Sequence, residues 1–429
     1  MPRPYDAAVE VPRTTEIAVV GAGAIGASAA LQLAVAGREV LLLDRGAVGQ
    51  GASAGTACLI TSSHAERLAS PEALKEGIRF LTDPAGPLAI RPSTRLLPWL
   101  VRFTAASVRS GVSHAGTDIL RRAATESVEL HRAWSATYQT GLVENGVLNV
   151  WMTEAGDEHR RRWADEHRAA GIEVQLLDAG QVRDVEPLVR GARCGSLYPG
   201  DAHVDSLEFV QATARAAEAA GARVLTGVDI LRLVPGAAGV RLDTTAGPIQ
   251  ASQVVVAAGV WSSKLARDAG VLLPMWPAKG YHVEYVGVPA PQRPIFLGES
   301  RVVATPLAGR VRLAGTLEFG TDPDAVDYRR VDAITRAGAA WIDGLTGATP
   351  TAVWRGPRPV TADGMPMVGR APANDRVIIA AGHAMLGITM APITAQWVEQ
   401  LARGEDLDAE LAALAPGRFH RLPRIPRRR

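Results

Sequence analysis

The chain has 429 residues, 47% of them apolar, enough for a large core arranged as two domains or as one elaborate α/β assembly. A formal net charge of +2 leaves no bulk electrostatic case for nucleic-acid binding. Two cysteines, Cys58 and Cys194, make neither a disulfide framework nor a metal cluster and suit a reducing cytoplasm.

In chain order, the first element is a strand running into glycines, Ile17-Ala18-Val19-Val20-Gly21-Ala22-Gly23-Ala24-Ile25-Gly26. Gly21 permits a tight turn, Gly23 lets backbone approach a diphosphate, and Gly26 lets the following helix pack closely on the strand. The helix N-terminus then offers N–H donors and partial positive charge to phosphate. Val40 to Leu43 form a second strand, and Asp44 follows it at the spacing where a carboxylate takes ribose hydroxyls. Ile17 to Gly37 contain no charged residue and are long enough to span a bilayer, but the central glycines point to a strand and a short helix instead. The polar N-terminus, Met1 to Asp6, has no apolar core of a secretory signal.

A small-residue loop, Gly49 to Ala57, comes next and can lie against a ligand because little projects from it. Residues 71–140 read mostly as helices, including Leu96 to Val108 and Ile119 to Tyr138. Gly146 to Trp151 read as a strand, Ser206 to Ala220 as an amphipathic helix, and Arg223–Leu225, Val228–Val234 and Gly239–Thr244 as strands. A second strand ending in glycine is Val254 to Gly259, followed by alternating runs at Gly280–Val286 and Arg310–Ala314. The last unit is a strand over Arg376 to His383 and a helix from Pro392 to Leu401. Strand–glycine–helix units at both ends around a more antiparallel middle predict a nucleotide domain assembled from separated segments, with a second domain inserted through it. Six arginines from Arg418 to Arg429 read as a solvated tail; clustered arginine also suits contact with an anionic membrane face.

Several motifs together resemble the FAD-dependent amino-acid oxidoreductases that include D-amino-acid oxidase, glycine oxidase, sarcosine oxidase and bacterial D-amino-acid dehydrogenase. They are the N-terminal fingerprint with Asp44, Val254 to Ser262, Pro277-Ala278-Lys279-Gly280-Tyr281, Trp354 to Gly369, and Ala381 to Pro392. Pro87 to Arg91 and Leu97-Pro98-Trp99 are similar to the dehydrogenase branch. The resemblance implies an α/β fold: a Rossmann-like, glutathione-reductase-like FAD-binding domain (14–85, 198–270 and 355–415) and an inserted α+β substrate domain with a large antiparallel sheet (86–197 and 271–354). Residues 416–429 are left as the basic tail.

The resemblance further implies oxidation of the C–N bond of a D-amino acid or a small secondary or cyclic amino acid, of the D-proline or D-hydroxyproline type, by hydride transfer to flavin N5. Arg358 is the implied carboxylate clamp, because a guanidinium offers two parallel donors and keeps its charge; a salt bridge supporting the Trp354 loop is the bland alternative. Tyr281 is either a second carboxylate partner or a sheet residue, and its neighbours His282, Glu284 and Tyr285 alternate in facing. A tyrosine expected from glycine oxidase in the strand Arg301 to Pro306 is absent, with Val303 in its place, which favours the dehydrogenase branch. His383 is a candidate base or a histidine hydrogen-bonded in the flavin-binding loop, and His64 either approaches the pocket or lies at the surface.

The implied FAD contacts are Gly21, Gly23, Ala24, Ile25, Gly26, Asp44, Arg45, Ser53, Ala54, Gly55, Ala258, Gly259, Trp261, Gly382, Met385, Leu386, Gly387, Ile388 and Thr389. FAD is expected to be non-covalent, since Cys58 and Cys194 lie outside the motif where sarcosine oxidase carries its cysteine. The partners implied are a small amino acid, an electron acceptor (a quinone, another acceptor or oxygen) and a second copy of the chain. No metal-ligand spacing occurs. A non-catalytic FAD-binding subunit has no need of the Arg358 clamp, and an NAD-dependent reductase leaves the C-terminal motifs unexplained.

Overall fold

The computed structural model describes residues 10–419 except 72–73, 76, 78–85, 92 and 109; the basic run from residue 420 onward lies outside the described residues. Strands and helices are numbered in chain order. The first sheet has a parallel centre in the order β9 (Arg223–Leu225), β2 (Val40–Leu43), β1 (Thr14–Val20), β12 (Gly247–Val256) and β19 (Asn374–Ala381). The hairpin β10 (Ile230–Gly236) and β11 (Gly239–Thr244) pairs with the first half of β12, and β18 (Met367–Ala371) lies antiparallel on β19. Residues distant in sequence thus converge on β1, as a nucleotide domain built from separated segments requires.

The uncharged stretch after Glu16 resolves into β1 and helix α1 (Ala24–Val35), too short to cross a membrane, and no described helix is long and apolar enough to do so. Helix α1 is buried almost all round. It packs against α6 (Ser206–Ala219) and α9 (Ala391–Ala402), with its alanines admitting both neighbours.

The second sheet runs β17 (Ala352–Thr361), β13 (Met275–Val286), β16 (Arg310–Phe319), β15 (Val302–Leu307), β14 (Ile295–Leu297), β5 (Val147–Trp151), β7 (Cys194–Tyr198), β6 (Gln175–Asp178). It is antiparallel except where β14 meets β5 and where β4 (Leu88–Ile90) joins β16. Helix α8 (Tyr328–Trp341) covers its outer face, while α4 (Glu154–Ala169) and α5 (Ala179–Val185) lie near the β7 end. The two-residue strands β3 (Leu59–Ile60) and β8 (Ala202–His203) pair between the sheets. Helices α2 (Leu97–Ser107) and α3 (Ser110–Tyr138) follow β4, and α7 (Ser262–Asp268) follows β12.

Three expectations are corrected. Helix α3, assigned to the inserted domain, buries Leu120, Ala124, Val128 and Trp134 in the core of α1 and α9, so tertiary contact places it with the nucleotide domain. Strand β17 belongs to the second sheet and ends at Thr361, so that sheet extends beyond the expected break at 355. Arg418 is not part of a free tail: its guanidinium holds the Asp363 carboxylate (2.7 and 3.0 Å) and the Met365 carbonyl (2.8 Å).

Behind the second sheet, Glu318 is buried at 2% exposure and ion-pairs with Lys279 (3.0 Å) and Arg330 (3.4 Å). Tyr281 donates its hydroxyl to Glu318 (2.7 Å), and Lys279 also donates to the carbonyls of Asp322 and Ala325. One carboxylate thus pairs with two buried cations, and removing it leaves both without their anion. Glu318→Gln is expected to destabilise the fold by about 3–5 kcal/mol, read as a lower midpoint in urea denaturation; an unchanged midpoint would show that the network contributes nothing.

Candidate active site

Where the strands of the first sheet end, the chain turns on glycine. Gly21 sits at φ +105°, and a Cβ there would fall 2.6 Å from the Ala257 carbonyl oxygen. A Cβ at Gly26 would come within 1.7 Å of the Gly21 carbonyl oxygen, so α1 packs on β1 only with glycine at both places. Gly23 caps α1 with no side-chain bond of its own; instead Ser53 Oγ accepts from the Ala24 N–H (3.0 Å). The bare first turn of α1 therefore faces open space with backbone donors. Asp44 accepts from the N–H groups of Ala22 (2.7 Å) and Gly46 (2.8 Å), which orients its carboxylate at the end of β2.

These groups line one end of a cavity of about 1360 Å³ lying between the two sheets. The same cavity is lined by Arg45, Ser53, Gly55, Ala258, Gly259, Trp261, Gly382, Met385, Leu386, Gly387, Ile388 and Thr389. Every cofactor contact expected from the sequence reaches the wall except Gly26, which is spent on helix packing, and Ala54, whose carbonyl instead accepts from Arg312 (3.1 Å). At the outer end, the Arg45 guanidinium stacks 4.0 Å from the Trp261 ring. A long cavity with a bare helix N-terminus, an oriented acid and glycines where side chains would intrude fits a flavin dinucleotide.

The substrate end is built on the inner face of the second sheet. Trp354 and Arg358 of β17 and Ala314 and Thr316 of β16 line it, and Gly280, His282 and Glu284 of β13, Gly356 and Arg312 lie on the same face of the sheet around them. Trp354 lies flat between Gly55 and Gly356, where a Cβ would meet its ring at 2.0 and 2.2 Å, and stacks on His282 (5.3 Å). Glu284 is held low by Arg312 (2.7 Å) and Arg310 (3.1 Å) despite burial, and Arg312 ties this wall to the carbonyls of Ala54 and Thr56.

Arg358 occupies the space over Gly280, where a Cβ would fall 1.8 Å from its Nη1. Nη1 donates to the Thr316 carbonyl (2.8 Å), and among the described residues no carboxylate pairs with the guanidinium. Burial pushes its pKa down to about 10, so it stays charged at neutral pH.

Tyr281 is turned away. Its side chain is fully buried on the opposite face of β13, where it donates to Glu318 and accepts from the Asp327 N–H (3.1 Å). Burial and the neighbouring Glu318 raise its pKa. The expected partnership with a carboxylate in the cavity is corrected to a structural one, because successive residues of a strand face opposite ways.

His383 lines the cavity near the flavin-binding loop, but its Nε2 is bonded to Thr394 Oγ1 of α9 (3.0 Å), and burial pushes its pKa down to about 3. It is a neutral imidazole held by Thr394, and its lowered pKa makes it a weak base. His64 is not a surface residue: it lines the cavity against Phe296 (4.8 Å) and Trp163 (5.4 Å) and meets Asn149 Oδ1 (3.2 Å). Val303 also lines the cavity.

Two supporting groups carried no sequence signal. His131, fully buried on α3, reaches the carbonyls of Ile388 (3.0 Å) and Thr389 (3.2 Å) through Nε2. Asp201 accepts from Thr61 Oγ1 (2.6 Å), Ser63 Oγ and the Ser62 N–H (2.9 Å), fixing the segment that leads to His64.

A cavity shaped for a dinucleotide, with the Arg358 guanidinium on its far wall, fits a flavin-dependent oxidoreductase site. Residues 16–401 match the family described as DAO, FAD dependent oxidoreductase. The chain belongs to that family and is an FAD-dependent oxidoreductase. It is 32% identical over 419 residues to a D-amino acid dehydrogenase of Cereibacter sphaeroides, covering 94% of this chain and 95% of that protein. It is 29% identical to a glycine oxidase of Geobacillus kaustophilus, over 92% and 95% of the two chains. The crystal structure of glycine oxidase from Geobacillus kaustophilus superposes with a TM-score of 0.77 at 26% identity, covering 95% of this chain and 99% of that one.

Five buried histidines make the fold sensitive to acid. Burial lowers His131 and His203 to about 4 and His167, His282 and His383 to about 3, from an ordinary 6.5. Below pH 6.5 the unfolded chain takes up protons that the folded chain refuses, so stability falls with falling pH from 6.5 towards 4 and is level above 6.5. Each histidine contributes up to about 1.4 kcal/mol per pH unit in that window. Melting temperatures from pH 7.5 to 4.5 should show this decline, and His383→Gln should make it shallower; a profile flat to pH 4.5 would contradict it.

Proposed function

We propose that this protein oxidises the C–N bond of a D-amino acid or a small secondary or cyclic amino acid, of the D-proline type, giving an imino acid that hydrolyses in water. The observation that carries this reading is Arg358: a guanidinium on the cavity wall, without a carboxylate partner among the described residues, close to the loop that lines the other side. Burying a lone cation is costly unless a ligand supplies the anion, and an α-carboxylate matches the guanidinium fork. FAD, when bound, supplies the two-electron acceptor. It is held without a covalent bond: Cys58 Sγ is buried and engaged by Arg312 (3.2 Å), and Cys194 does not line the cavity.

The residues of this chain act by placement. Arg358 fixes the carboxylate and so decides which face of the substrate carbon is presented, turning binding energy into orientation. His383, neutral and bonded to Thr394, does not compete as a base, and loss of hydrogen from carbon with its electron pair needs none. The peptides from Gly382 to Thr389 border the cavity and are secured from behind by His131, which suits them to stabilise negative charge arising there. Val303 leaves apolar the position where an oxidase-like tyrosine was expected, which supports the dehydrogenase branch.

The test is the visible spectrum of the FAD-loaded protein, followed anaerobically against D-, L-, N-methyl and cyclic amino acids. Bleaching by D- or cyclic amino acids is expected, and no bleaching by any would sink the reading. Arg358→Met should retain FAD while kcat/KM falls at least about a hundredfold, the loss of a charged, bidentate contact; unchanged kinetics would remove Arg358 from the site.

A further inference from the structure

Between β13 and β16 the pairing slips. Tyr281 faces Gly315, yet Lys279 faces Glu318, so β16 carries one extra residue beside Gly280. The bulge contains Thr316 at φ +66°, the only β-branched residue with positive φ among the described residues. A β-branched side chain in this region is an outlier that persists only where its surroundings enforce it. Such strain is often found at ligand sites, where a bulge re-aims a side chain.

Two consequences of the bulge meet at one point. The Thr316 carbonyl turns to accept from Arg358 Nη1 (2.8 Å), which fixes the guanidinium over Gly280. Thr316 itself lines the cavity beside Arg358. Thr316 is 8% exposed and borders the cavity, so its hydroxyl is placed to meet a ligand there. A carboxylate lying on Arg358 has more lone pairs than one guanidinium edge fills.

We propose that Thr316 is a substrate-binding residue: its hydroxyl donates to the carboxylate that Arg358 holds, the role that the sequence offered to Tyr281. The inference rests on the carboxylate-clamp reading of Arg358. The strained backbone serves to bring a short hydroxyl and the guanidinium to the same anion, which a regular strand would hold on a different register.

The test titrates benzoate, a carboxylate with no amine to oxidise, into the oxidised FAD-loaded protein and follows the flavin absorbance. Thr316→Val removes the hydroxyl and keeps the branch; it should raise the benzoate Kd about tenfold or more, the worth of a hydrogen bond to a charged group. Thr316→Ser should bind within about threefold of the unsubstituted protein, because it keeps the donor. Thr316→Gly should bind as weakly as valine although its melting temperature is equal or higher, since glycine relieves the positive φ. With the best amino acid of the spectral panel, the valine variant should raise apparent Kd more than it lowers the limiting rate of flavin reduction. Valine and glycine variants that bind benzoate normally, or a serine variant as weak as valine, overturn the inference while leaving Arg358 in place. Absence of benzoate binding in the unsubstituted protein, or full binding in Arg358→Met, would overturn the clamp itself.

Discussion

Access of one guanidinium to the cavity depends on one missing side chain. Arg358 and Gly280 lie on neighbouring strands and share a face, and any Cβ at 280 would stand where Nη1 now lies. The pairing of β13 with β17 therefore does more than extend a sheet. It sets the position of the cation relative to the dinucleotide end of the cavity, because the same two strands carry His282 and Trp354, which lock onto Gly55 in the loop after Asp44. Gly55 admits Trp354 against the loop after Asp44, while Gly280 and Gly356 make room within the sheet for Arg358 and Trp354.

The two faces of that sheet handle charge in opposite ways. Behind it, Glu318 is matched against Lys279 and Arg330, with Tyr281 completing its hydrogen bonds. In front, Arg312 and Arg310 are matched by Glu284, while Arg358 has only a peptide carbonyl. A cation with a carboxylate beside it has its attraction satisfied within the fold, whereas one without can draw an anion from outside. The contrast between Lys279 and Arg358, both cations on this sheet, is what singles out Arg358 for the clamp role proposed above.

The glycine fingerprint was legible because the backbone there tolerates nothing else: a φ of +105° at Gly21 and contact between Gly26 and the Gly21 carbonyl are written directly in residue type. The family motifs likewise brought Arg358 and the 382–389 loop together. Facing was not legible at Tyr281, because β13 is buried on both sides and its sequence lacks the polar alternation that would mark one face. The allegiance of α3 was hidden for a related reason, since an apolar stripe shows that a helix is buried but not against what. Thr316 was hidden more deeply: threonine is among the residues least expected at positive φ, so no propensity marks the bulge.

The cavity wall divides into parts with different freedoms. At the dinucleotide end and around Arg358, contacts are made by backbone groups, glycines and a guanidinium pinned by the strand beside it, so few substitutions are tolerable. At the other wall, Phe296, Val303, His64 and Trp163 meet the cavity with side chains alone, carried by β14, β15, the β3–β4 connection and α4. Exchanging one apolar or aromatic group for another there reshapes the space beside the substrate without disturbing the clamp or the flavin loop. Under the proposed function, main-chain geometry would fix the capture of a carboxylate and side chains on separate elements would size the space beside it, so that one fold could serve different amino acids.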